Sequence, residues 1–171
     1  MKYYLSLGSN LGDRKSNLAR AVSALKRKKV RTLAKSSLYE TQPVDVLDQP
    51  WFFNQVIEVE TELTPFALLS LVKAIEMMLG PRPAAEKGPR RIDIDILLAE
   101  GTILSTELLT IPHPRMQQRN FVLVPLAEIA PEVVHPVLKK TIRRILKSSP
   151  DQSVVRKLEE PTQGKKGDPR G

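Results

Sequence analysis

The nine residues Gly88-Pro89-Arg90-Arg91-Ile92-Asp93-Ile94-Asp95-Ile96 decide how the rest of the chain is read. Gly88 and Pro89 break whatever precedes them, and from Ile92 apolar and acidic residues alternate. Alternation is the period of a half-buried strand, so Ile92, Ile94 and Ile96 share one face and Asp93 and Asp95 the other. Two residues of strand rise set the two carboxylates about 6–7 Å apart. That spacing suits hard oxygen ligands holding Mg²⁺, singly or as a pair. An exposed acidic edge strand fits the same pattern, because edge strands often carry charge. Against the edge reading, aspartate is depleted in strands, and two on one face repel unless a cation lies between them. The run also continues into Leu97-Leu98, as an interior strand would. Spacing alone leaves both readings open.

Outward from this strand, the chain reads as one soluble domain. Its 171 residues are enough to bury a core, and 41% hydrophobic with 27% charged residues is ordinary composition. The absence of cysteine excludes disulfides, thiolate metal sites and a thiol nucleophile. No apolar run is long enough to span a bilayer, and Met1–Leu7 reads as a strand and not a signal peptide; a reducing cytoplasm is the expected location. The net charge of +8 is uneven: residues 139–171 hold ten Lys and Arg against four Asp and Glu. The rest holds seventeen against fifteen. A nucleic-acid partner therefore ranks below a small anionic ligand, and a basic tail accounts for most of the excess.

In chain order, Lys2–Leu7 predicts a first strand, and Gly8-Ser9-Asn10-Leu11-Gly12-Asp13 a tight turn into a helix. Asp13 caps that helix, which runs to about Lys28 with Leu18, Val22 and Leu25 inward. A second strand is expected around Ala34–Glu40, followed by an exposed loop through Pro50. A long alternating strand follows, with Trp51 and Phe52 at its mouth, where aromatics can sandwich a flat ring. Thr64-Pro65 opens a helix with Phe66, Leu69, Val72, Ile75 and Leu79 at helical spacing, ended by Gly80. Glu76 falls in its last turn, a poor place for an anion, which calls for a cationic or hydrogen-bonding partner. His113 sits between prolines near Arg115 and Arg119, a set suited to phosphate oxygens. His135 has no such company and reads as structural.

The pieces LSLGSNLGDR, LYETQPVD, QPWFFN, GPRRIDIDIL and IPHPRMQQRNFVLVPLAEIAP, in this order, resemble 6-hydroxymethyl-7,8-dihydropterin pyrophosphokinase, over roughly Met1 to Leu146. This family of folate synthesis transfers pyrophosphate from ATP to the pterin hydroxymethyl group, giving AMP. The resemblance implies an α+β, ferredoxin-like fold: an antiparallel-rich sheet with helices packed on its faces. It implies two Mg²⁺ ions held by Asp93 and Asp95, with ATP as co-substrate. Pterin contacts would fall on Thr41, Pro43, Val44, Asp45, Phe52, Asn54 and Phe121. ATP contacts would fall on Glu76, Ile96, Thr110, His113 and Arg119, and Arg82 and Arg90 would join the aspartates in catalysis. Strand parity favours Arg91 on the aspartate face where the resemblance favours Arg90; a bend at Pro89 would reconcile them.

The expected organisation is a pyrophosphokinase domain over residues 1–158 and a disordered basic tail over 159–171, acting as a monomer on small molecules with no membrane partner. One stretch departs from the family. Where it commonly has Gly-Arg-x-Arg and then Arg-Trp-Gly-Pro-Arg, this chain reads GPRPAAEKGPR, with Arg82 alone and no tryptophan. Phe52 replaces a commoner tyrosine, and Lys73 stands where an amide is frequent.

Overall fold

A computed structural model describes residues 1–44, 47–80 and 88–159. The chain runs β1 (Lys2–Ser9), α1 (Arg14–Arg27), β2 (Arg31–Lys35), β3 (Tyr39–Thr41), β4 (Phe52–Glu60), α2 (Pro65–Leu79) and β5 (Asp93–Ala99). The second half adds a small hairpin, β6 (Leu104–Ser105) with β7 (Thr110–Ile111), then α3 (Asn120–Ile129). A second hairpin, β8 (Val134–His135) with β9 (Lys140–Thr141), leads to α4 (Ile142–Lys147) and β10 (Val155–Lys157). The main sheet has the order β10-β3-β4-β1-β5, all antiparallel neighbours, with β2 also pairing β4. Strand β1 thus lies between β4 and β5, the two strands that α2 joins, which is the split βαβ arrangement of ferredoxin-like α+β folds.

Helices α1 and α2 cover one face. Tyr3, Leu5 and Leu7 of β1, Ile57 and Val59 of β4, and Ile94 and Ile96 of β5 point into this layer, as their alternation dictates. Asp13 accepts from Ser16 N to cap α1, and Thr64 accepts from Ala67 N to cap α2 ahead of Pro65. The buried stripe of α2 is Leu68, Val72, Ile75, Glu76 and Leu79; Phe66, expected inward, is 42% exposed. The helix is rotated so that Leu68, two residues after Phe66, meets the sheet.

Helices α3 and α4 pack on the opposite face, over Val56, Leu97 and Leu98. A bulge makes this possible. Tyr4 pairs Leu98 but Leu5 pairs Ile96, so Leu97 is an extra residue. It turns two consecutive leucines toward α3 and returns Ala99 to the first layer. The strand expected at Ala34–Glu40 is instead two strands. Ser36 breaks it: its amide and carbonyl reach Val56 O and the Gln55 side chain, and its hydroxyl accepts from Val56 N.

Strand β10 was not legible in its sequence. It pairs β3, Val155 opposite Thr41 and Lys157 opposite Tyr39. The tail expected from residue 159 lies, from residue 160 on, outside the described residues.

Glu128 of α3 ties these edges together. It accepts from the Ser37 amide (2.8 Å), the Ser37 hydroxyl (2.8 Å) and the Tyr39 hydroxyl (2.8 Å), with Lys157 at 3.7 Å. Burial by itself would raise its carboxyl, but these bonds and the Lys157 charge hold it below the ordinary value. A depressed native value adds stability above the unfolded value of about 4.3, and that stability is lost as pH falls through the native value. Glu128→Gln is therefore expected to lower the unfolding free energy measured in urea at pH 7 by on the order of 1 kcal/mol after solvent screening. The gap from wild type should close in acid; a gap that persisted unchanged at low pH would contradict this.

Candidate active site

Beside α3, the second face of the sheet is left open, and a cavity of about 400 Å³ lies there. Its floor follows from register. Asn54 on β4, Gly8 on β1 and Asp93 on β5 lie directly opposite one another, and Ser6 lies opposite Asp95. At about 4.8 Å per strand, Asn54 and Asp93 stand about 10 Å apart with Gly8 between them. Gly8 permits this floor: a Cβ there would come 2.7 Å from Asn54 Oδ1. Asn54 Nδ2 donates to the Thr41 hydroxyl, pairing two buried polar groups.

The walls come from elsewhere in the chain. Thr41, Pro43, Val44 and Phe52 line one side, and Phe121 and Arg119 of the α3 start another. Toward β5 the lining is Arg90, His113 and Arg115, with Lys73 reaching in from α2. Arg90 Nη1 lies 3.4 Å from Asp93 Oδ1, while Arg91 packs away from the cavity, against Gly80 and Gly12. The conflict between parity and resemblance thus resolves for Arg90. A backbone bond from Asn10 N to Arg90 O and a second from Arg90 N to the Asn10 side-chain oxygen bend the chain before β5 begins at Asp93, so parity does not extend back to Arg91.

The electrostatics are those of an anion site with a cation-seeking core. Burial, then the charges of Asp93 and Glu76, push the Asp95 carboxyl up to about 7, against the pull of Lys73 and Arg119. A cation beside the two carboxylates would relieve that repulsion, and two hard oxygen donors fit Mg²⁺. Among the described residues there is no cluster of three or more His, Asp or Glu placed to hold a metal, so further ligands would come from substrate oxygens and water. His113 is pushed down to about 4, by burial and then by Arg119 and Arg115. It is neutral at pH 7, and its Nδ1 accepts from Arg115 N at 3.2 Å, which leaves the proton on Nε2 as a donor.

Three expected residues do not bring side chains into the cavity. Ile96 faces α1 and α2 by strand parity. Thr110 sits in the β6–β7 hairpin, donating to Thr106 O. Glu76 is buried beneath β5, where it accepts from Ile94 N (2.8 Å) and meets Lys73 (3.2 Å); burial raises its carboxyl. Glu76 thus has the partners its position called for, and it holds the aspartate strand from below. Asp45 and Arg82 lie outside the described residues.

The chain as folded also shows a residue that the turn reading of 8–13 passed over. Asn10, 2% exposed, donates to the Gln49 side chain (2.9 Å) and to Pro50 O (3.0 Å), and accepts from Arg90 N (2.8 Å). One amide thereby ties two loop bases to β1. Nothing in a Ser-Asn-Leu-Gly turn signals this, because both partners are distant in sequence.

Residues 4–131 match the family model of 7,8-dihydro-6-hydroxymethylpterin-pyrophosphokinase (HPPK). The chain belongs to this family. It is 48% identical over 131 residues to the Bacillus subtilis 2-amino-4-hydroxy-6-hydroxymethyldihydropteridine pyrophosphokinase, covering 76% of this chain and 78% of that one. It is 44% identical over 157 residues to the enzyme of the same name from Methylorubrum extorquens, covering 91% and 98%. The folic acid synthesis protein fol1 of Schizosaccharomyces pombe is 42% identical over 152 residues, but the chain spans only 21% of it. Among solved structures, Plasmodium falciparum HPPK-DHPS with pteroate superposes with a TM-score of 0.68 at 19% identity, over 85% of this chain and 42% of that one. That likeness is one of fold, and it agrees with the ferredoxin-like topology.

Two substitutions probe the floor and its anchors. Gly8→Ala is expected to displace the Asn54 amide and lower kcat/KM at least tenfold, at a stability cost of about 1–3 kcal/mol. Asn10→Ala leaves the Arg90 amide and the Gln49 side chain short of a partner. It should lower kcat/KM by about tenfold or more, since misplacing a site by 1 Å costs up to a hundredfold. Wild-type kinetics in that variant would show that Asn10 does not fix the loops.

Proposed function

We propose that this chain transfers pyrophosphate from ATP to 6-hydroxymethyl-7,8-dihydropterin, giving AMP and the pterin pyrophosphate, as its family does. The observation that carries the reading is the graded floor of one cavity. Buried hydrogen-bonding groups, Asn54 and Thr41, lie at one end and two carboxylates among cations lie at the other, about 10 Å apart. A flat, polar-edged ring fits the first end, and a polyphosphate the second.

In this reading Asn54 and Thr41 read the edge of the pterin, and Phe52 and Phe121 stack on its faces. Pro43 and Val44 complete that side, and the family resemblance alone adds Asp45 to it. The ring then points its hydroxymethyl oxygen across Gly8 toward Asp93. Arg90, Arg119 and the Nε2–H of His113 take phosphate oxygens, and Arg115 and Lys73 add positive charge. The hydroxymethyl oxygen attacks the β-phosphorus in line, its proton passes to solvent, the bond from the β-phosphorus to the α-phosphate oxygen breaks, and AMP leaves. Asp93 and Asp95 would hold Mg²⁺, two ions on the family pattern, which supplies charge neutralisation on the transferred group. No covalent nucleophile is needed. Glu76 acts from beneath, fixing Ile94 between the two aspartates. Ile96 has only its main chain to offer ATP, and Thr110 could reach it only from outside the cavity. Arg82 would add a cation from the connection that lacks the family tryptophan.

The test is an assay with ATP, Mg²⁺ and the pterin, following AMP and pterin pyrophosphate. AMP should appear only when pterin and metal are both present. Asp95→Asn should lower kcat by on the order of a thousandfold, the scale set by losing a preorganised charge-stabilising group. AMP release independent of pterin, or an unimpaired Asp95→Asn variant, would refute the assignment.

A further inference from the structure

The part of the chain beyond residue 131, where the match to the family model ends, contributes to the cavity without lining it. Helix α3 begins at Asn120, and the residue before it, Arg119, gives it no side-chain cap. The missing cap comes from residue 151. Asp151 Oδ2 accepts from Asn120 N at 2.8 Å, and Asp151 O accepts from Asn120 Nδ2 at 3.0 Å. Its other carboxylate oxygen accepts from Ser153 N at 2.8 Å. Burial alone would raise this carboxyl, but these bonds hold it low, so it is charged at neutral pH and complements the positive end of α3.

The same segment grips the opposite wall. Gln42 N donates to Val154 O (3.0 Å), Val154 N donates to Gln42 Oε1 (3.2 Å), and β10 then pairs with β3 from Thr41 to Tyr39. Arg156 joins Arg14 on Glu40, and Arg14 in turn lies over the Phe53 ring and bonds Trp51 O. Residues 151–157 therefore form a strap between two walls that are far apart in sequence. One wall carries Thr41 and Gln42, the other Arg119 and Phe121, and each is at most one residue from a bond to the strap. Asn120, the residue the strap holds, separates Arg119 from Phe121, whose guanidinium and ring are 5.6 Å apart.

The geometry points to Asp151 as a positioning residue: through Asn120 it fixes Arg119 and Phe121 relative to the β3 wall, and so sets the width of the pterin end of the cavity. This rests on the reading of that end as the pterin site. A helix cap that served stability alone would lower the melting temperature and leave the ring and the ligand untouched, and the experiment separates the two roles.

The full-length protein, Asp151→Ala and Asp151→Asn are compared in three ways. The Phe121 ring signals are followed by NMR with labelled phenylalanine, which needs no ligand. Pterin affinity is followed by fluorescence quenching, and KM and kcat are measured well below the melting temperatures of all three. Asp151→Ala should shift or broaden the Phe121 signals and weaken pterin affinity and KM by about tenfold, the scale of a sub-ångström misplacement, with kcat changed less. Asp151→Asn, whose side-chain oxygen can still accept from Asn120 N, should restore the Phe121 signals and most of the affinity. A lower melting temperature in Asp151→Ala with unchanged Phe121 signals and affinity within twofold would overturn the inference. So would failure of Asp151→Asn to restore the signals. If the wild type bound no pterin, the proposed function would fall, while the Phe121 signals would still decide the role of Asp151.

Discussion

Strand β5 must satisfy three surroundings within seven residues, and the molecule is arranged around that demand. Its isoleucines need the apolar layer of α1 and α2, its aspartates need water and cations, and its leucines need the second layer under α3. Strict alternation meets only the first two. The extra residue at Leu97 meets the third by shifting parity once, so the strand passes from half-open to buried on both faces. The boundary of the cavity is therefore a register event. Asp95 lies on the last open position, and two residues later the sheet is covered.

Covering the sheet so close to Asp95 has an electrostatic consequence. The carboxyl is largely screened from bulk water at the cavity floor, faces Asp93 across one strand repeat and has Glu76 below it, and its ionised form is disfavoured. Lys73 and Arg119 oppose that only in part. The arrangement is unfavourable in isolation and favourable toward a ligand that brings both signs, such as a polyphosphate with its divalent cation. His113 fits the same logic: burial and then the neighbouring arginines keep its imidazole neutral, so it presents a donor and not a further charge.

Much of the layout was legible because it rests on local rules. The caps at Asp13 and Thr64, the proline at the first position of α2, and the alternation of β1, β4 and β5 all follow from side chains acting on their own backbone. The same rules failed where distant partners intervened. One expected strand became β2 and β3 because Ser36 bonds to both Val56 and Gln55. Phe66 left the stripe of α2 because the sheet, and not the spacing of apolar residues, chose which of two registers faced inward. Glu76 reads in the sequence as an anion misplaced at a helix end, and although Lys73 lies one turn away, the Ile94 amide that it also holds is eighteen residues away.

By itself the sequence determined the aspartate pair, the helices with their caps and, through ordered motifs, the family, because each of these is written in neighbouring residues or in their order. Tertiary structure alone decided that Arg90 and not Arg91 faces the aspartates, that Gly8 must lack a side chain, and that Asn10 and Asp151 hold walls they do not form. The physical reason is the same in each case. Those residues act through hydrogen bonds or close contacts spanning from about thirty to eighty positions, and no local periodicity records a bond whose partner the chain reaches only after it has folded.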